Sequence, residues 1–118
     1  MRQGQAEFEI VFFEGLLEKD PNFVDALIPL ADLYTKKGLY EKGLELDRRL
    51  AKLRPEEPVV HYNLACSLAL VGKKGEAFEA LQRAIELGYD DFDHLKKDSD
   101  LKSLRNDPRF KSLLLKYA

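Results

Sequence analysis

Residues 24–57, VDALIPLADLYTKKGLYEKGLELDRRLAKLRPEE, and residues 58–91, PVVHYNLACSLALVGKKGEAFEALQRAIELGYDD, lie in register without a gap. A fixed period restricts a chain to repeat architectures, because one short unit cannot bury its own apolar face and must stack on copies of itself. Leu30 aligns with Leu64, Ala31 with Ala65, Leu33 with Ser67, Gly38 with Gly72, Gly43 with Ala77, Leu46 with Ala80 and Leu50 with Ala84. Gly38 and Gly72 each end a first helix, because a helix C-terminus favours a residue free to take positive φ. Second helices are predicted over about 40–53 and 74–87 from the helical spacing of Leu44, Leu46, Leu50 and Leu53, and then of Ala77, Phe78, Leu81, Ala84 and Ile85. Small residues at Ala31, Ala65, Gly43, Ala77 and Ala84 let neighbouring helices approach closely, and Pro55 breaks the chain after the first unit.

A helix–turn–helix of this length resembles the tetratricopeptide repeat. The positions that match the family pattern are Leu27, Leu30, Ala31, Tyr34, Gly43, Asp47, Leu50 and Pro55 in the first unit. In the second they are His61, Leu64, Ala65, Leu68, Ala77, Leu81, Ala84 and Tyr89, with the first unit departing from the pattern at Asp47 and Leu50. GQAEFEIVFFEGLLEKDP (4–21) looks like the second helix of a preceding unit, with Pro21 in the closing position. Beyond residue 91 the period fades into DFDHLKKDSDLKSLRNDPRFKSLLLKYA, which is similar to the segment that often ends bacterial arrays of this family. Its physics is readable directly. Asp107 is placed to cap a helix and Pro108 to begin it, with Phe110, Leu113, Leu114 and Tyr117 on one face. Leu101 and Leu104 mark a short helix before it. The resemblance implies an all-α, right-handed helical-hairpin solenoid in one domain, 1–118. It comprises a half repeat (4–21), two full repeats (24–57 and 58–91) and a helical cap (92–118).

The segment PVVHYNLACSLALVG (58–72) carries no Asp, Glu, Lys or Arg in a chain that is 34% charged. Fifteen residues fall short of the roughly 20 that a membrane span needs. A helix apolar all round must instead be covered by protein. At 100° per residue, the first helices have one face for the repeat core and an opposite face. The opposite face holds Asp25, Ile28, Pro29, Asp32, Thr35 and Lys36 in the first unit, and Val59, Tyr62, Asn63, Cys66, Ala69 and Leu70 in the second. In the family this face lines a concave groove for extended peptides or partner helices. The resemblance therefore implies a peptide-binding groove of Asp25, Ile28, Asp32, Thr35, Lys36, Val59, Tyr62, Asn63, Cys66 and Leu70. Tyr62 offers area and Asn63 amide hydrogen bonds, so they stand as the main contacts. A second cover stays open: neighbouring first helices, or the C-terminal segment around His94 to Lys97, folded over this surface. Pro29 removes a helical hydrogen bond to Asp25 and is expected to bend its helix.

One ligand mode of the family, the clamping of a C-terminal carboxylate, is not expected. Asn63 matches its middle position, but the flanking pairs are Ile28 with Asp32 and Asp93 with Lys97, and acids there repel a carboxylate. A protein or peptide segment that is neutral, apolar or mildly basic suits the groove better. No catalysis, cofactor or metal is expected. His61 and Cys66 lie about 140° apart on one helix, GKKGE lacks the strand and spacing of a phosphate loop, and His61 occupies a packing position. The net charge of −2 gives no general attraction to nucleic acid or anionic membrane. The single cysteine excludes an internal disulfide, and the start lacks a cleavable signal pattern, so a cytoplasmic setting is expected. The function implied is a non-catalytic adaptor or scaffold. The alternative is self-assembly into homo-oligomers. Residues 1–25 hold six acids against Arg2 and Lys19, while 94–118 hold seven bases against three acids. Phe8, Phe12 and Phe13 with the basic terminal helices would then join the copies.

Overall fold

The computed structural model describes residues 2–118, with side chains from residue 4 onward; the first residue of the expected 1–118 span lies outside it. The described residues form helices and turns: α1 (Arg2–Lys19), α2 (Val24–Lys36), α3 (Tyr40–Leu53), α4 (Pro58–Leu70), α5 (Lys74–Glu86), α6 (Phe92–Lys97), a 3-10 helix (Ser99–Leu104) and α7 (Pro108–Tyr117). Consecutive helices pack as hairpins, α1 on α2, α2 on α3, α3 on α4 and α4 on α5, so the molecule is an all-α helical-hairpin solenoid. Its dimensions of 43 × 30 × 22 Å reflect that stacking.

Gly38 and Gly72 close the first helices with φ of 81° and 84°, as the period requires, and Gly88 closes α5 in the same way at 118°. Each passes the chain back through a bond from the residue after the glycine: Leu39 N–H to Tyr34 C=O, Lys73 N–H to Leu68 C=O, and Tyr89 N–H to Ala84 C=O. Pro29 stands inside α2, which runs from Val24 to Lys36. Asp107 caps α7 by accepting the backbone N–H of Arg109, with Pro108 at the first helical position.

Two apolar clusters form the core. The N-terminal one joins Leu27, Leu30, Ala31, Tyr34, Leu46, Leu50 and Val60, with Ile10, Phe13 and Leu17 of α1 packed against it half-buried. A Tyr34 O–H bond to the Glu14 carboxylate ties α1 to α2. The second cluster holds Leu44, the core face of α4 and α5, Leu95, Leu101, Leu104, Phe110 and Leu113. Helix α3 serves both, giving Leu46 and Leu50 to one and Leu44 to the other. His61, expected in the core, is only half-buried, and its Nε2 lies 2.9 Å from the Pro55 carbonyl, holding the loop between units.

The two units solve one close approach differently. A Cβ on Gly43 would sit 2.8 Å from Thr35 Oγ1, which is itself bonded to the Ala31 carbonyl at 3.1 Å. In the second unit the same positions are Ala77 and Ala69. Gly43→Ala alone should therefore gain little, because a helix-propensity gain of about 1 kcal/mol is offset by crowding of the threonine. Gly43→Ala combined with Thr35→Ala copies the second unit, and the pair should be coupled by about 1 kcal/mol in its favour. Urea unfolding of both single variants and the double variant checks this; strictly additive effects would refute it.

Candidate functional site

Helices α2 and α4 are the first helices of the two units, and the turn from α6 into the 3-10 helix meets the middle of α4, where Asp98 accepts from Tyr62 and Cys66. Between α2 and α4 lies a cleft of about 440 Å³. Of the residues expected to line a groove, Ile28, Asp32, Thr35, Val59, Tyr62, Asn63 and Cys66 border this cleft; Asp25, Lys36 and Leu70 do not. Lys36 is drawn aside into a 2.8 Å ion pair with Asp32 on the exposed flank of α2. Ile28 and Val59 form an open apolar rim, with Asn63 exposed beside them.

Tyr62 stands differently from the expected exposed contact. It is only 4% exposed, its ring stacks on Tyr89 at 4.2 Å, and its O–H donates to Asp98 Oδ2 at 2.6 Å. The charge-free helix α4 is thus largely covered by its own chain: α3 and α5 flank it, and Leu95 with the 3-10 helix closes it from the C-terminal side. Asn63, Val59, Ile28 and Asp32 remain as the accessible part of the expected groove along the cleft.

Asp98 organises this cover. Besides the tyrosine O–H, it accepts the Asp100 N–H at 3.0 Å and the Cys66 thiol at 3.7 Å, and His94 Nε2 lies 3.2 Å away. Its own carbonyl accepts from Arg105. Burial, reinforced by the Asp98 and Asp100 carboxylates, pushes the Cys66 thiol up, so the sulfur stays protonated. Burial first, and then its bond to Asp98, likewise raises the Tyr62 phenol.

On the cleft floor, Asp47 of α3 is buried and accepts the Ser67 O–H of α4. Removal from water outweighs that hydrogen bond and lifts its carboxyl to about 6, with the Asp32 charge adding to the rise. Asp100 is also raised, by burial and then by the Asp98 charge. The lining therefore carries Asp32, Asp47, Glu57, Asp98 and Asp100 against one histidine, His94. Sequence reasoning missed Asp47, Ser67, Asp98 and Asp100. The signal for the first two was present: Asp47 stands over Leu81 and Ser67 under Leu33 in the repeat alignment, two polar residues at apolar positions of adjoining units.

The chain has partial counterparts elsewhere. The chain is 34% identical over 87 residues to a chloroplastic protein of Arabidopsis thaliana, a match covering 71% of this chain and 26% of that protein. It is 31% identical over 77 residues to the peroxisomal targeting signal receptor of Candida albicans, covering 65% of this chain and 13% of that one. The chain thus spans about a quarter of the first relative's length and about an eighth of the second's. No family model matches it. None of the described helices is long and apolar enough to cross a membrane.

Proposed function

We propose that the chain is a tetratricopeptide-type, non-catalytic adaptor whose cleft takes a segment of another protein bearing a basic side chain. The observation that carries this reading is the lining itself: an apolar rim of Ile28 and Val59 beside the Asp47 and Asp100 carboxylates, whose ionised forms are poorly compensated. A lysine or arginine entering the cleft would stabilise Asp47 and Asp100 in their charged forms. The rim would hold the flanking apolar residue, and Asn63 would bond the ligand backbone. Similarity to a protein named as a targeting-signal receptor supports a protein segment as ligand. The protonated, carboxylate-flanked Cys66 supports a non-catalytic role. The setting is an aqueous compartment, the cytoplasm or, by analogy with the name of the Arabidopsis relative, a plastid.

Fluorescence anisotropy with two labelled peptides tests the reading, one alternating leucine with lysine and arginine, the other alternating leucine with glutamate. The basic peptide should bind, more weakly as salt rises, and Asp100→Asn should weaken it about tenfold, the scale of one charge-assisted contact. Equal binding of both peptides, or no effect of Asp100→Asn, would remove the acidic cleft as the recognition element.

A further inference from the structure

Helix α1 departs from its repeat equivalents on one face. Displaced by one period, Phe8 and Val11 stand where α3 has Lys42 and Glu45 and where α5 has Glu76 and Glu79, all four of them exposed. Phe8 and Val11 are each 67% exposed, and Phe12 beside them 54%. A first helix paired with α1 as α2 pairs with α3 would cover Phe12, the counterpart of buried Leu46. It would leave Phe8 and Val11 in water, as α2 leaves Lys42 and Glu45. An ordinary preceding hairpin therefore does not account for this apolar pair. Gly4 and Gly15 fall on the same face by helical spacing, with open space in front of each.

We propose that this face docks on itself, α1 against α1 of a second copy, antiparallel about a two-fold axis between Val11 and Phe12. In that register Val11 meets the second copy's Phe12, and Phe8 meets its Gly15, so each ring fills the space that a glycine leaves. The two-fold repeats both contacts, which is how an isologous interface becomes self-complementary. Lys19 comes level with the second copy's Gly4, about one helical turn from its Glu7, placing opposite charges at the rim. The basic C-terminal end is the competing occupant by charge. The exposed surface of α7, however, offers the single large apolar side chain Leu115 between Lys111 and Lys116, a poor match for three apolar residues. The interface is a single helix pair, so the dimer is of the weak class.

Sedimentation velocity of the full chain from micromolar to near-millimolar concentration tests this. The expected result is a monomer–dimer equilibrium that stops at the dimer. Phe8→Glu should raise the dissociation constant at least about tenfold, as loss of a central aromatic contact does. Gly15→Leu is the sharper variant. It strengthens α1 as a helix, keeps the fold by circular dichroism, and should still weaken the dimer by filling the space that Phe8 enters. A ladder beyond the dimer would assign the face to the C-terminal end and overturn the proposal. A monomer throughout would assign it to a different helix and overturn it equally. So would a Gly15→Leu variant that dimerises like the parent.

Discussion

Asp47→Asn should stabilise the protein by about 2–3 kcal/mol at pH 7.5 and by only about 0.5 kcal/mol at pH 4. The unfolded Asp47 carboxyl loses its proton near 3.8, whereas the folded one holds it to about 6. The raised folded value means that the folded state binds the proton more tightly. That contribution to stability is fully present below the unfolded pKa and is lost as pH rises through the folded one. Two units at about 1.4 kcal/mol each set the upper bound, since the side chain is buried and solvent screens it little. Asparagine never ionises, yet its carbonyl can still accept the Ser67 O–H. Urea unfolding of parent and variant at the two pH values isolates the residue, because every other titrating group is common to both. Stability curves that run parallel from pH 4 to 7.5 would show that Asp47 is solvated or paired in the folded state.

Leu104→Ala should cost about 2–5 kcal/mol, and Leu101→Ala a similar amount, because both side chains are fully enclosed and truncation leaves a cavity. Against the roughly 5–15 kcal/mol that holds a domain together, either change should lower the whole unfolding transition. The two leucines belong to the same cluster as Leu68, Leu81 and Phe110, so the 3-10 helix is part of the second unit's core. The measurement is one thermal melt followed by helix signal and by tyrosine fluorescence. Loss of the C-terminal segment alone, with the remaining helices melting at the parent temperature, would show that the segment is an appendage.

The hairpins and their turns were legible in the sequence because each rests on local chemistry: glycines at positive φ, small residues at crossings, and leucines at helical spacing. The Asp107–Pro108 start of α7 was legible for the same reason, since a cap is a relation among four neighbouring residues. The cover over α4 was not. Tyr62 meets Asp98 across thirty-six positions, in a stretch where the repeat period has already faded, so no pattern connects the two. Two residues of the expected groove, Tyr62 and Cys66, consequently lie beneath the protein's own C-terminal turn, while Ile28, Asp32, Val59 and Asn63 stay accessible along the cleft. The Asp47–Ser67 bond was hidden for a different reason. Each residue alone looks like decay of the repeat pattern, and only together do they read as a substitution of one polar contact for one apolar contact.

The arrangement around α4 also orders events on the ribosome. Helix α4 is complete once Leu70 has been added, but the side chains that enclose its C-terminal side, Leu95, Leu101 and Leu104, are added only later. At synthesis rates of roughly 5–20 residues per second, the charge-free segment waits on the order of seconds without its lid. During that interval the nascent chain shows a greasy, uncharged helix of the kind that chaperones hold. The molecule hides this surface only after the segment that follows the second unit has been made.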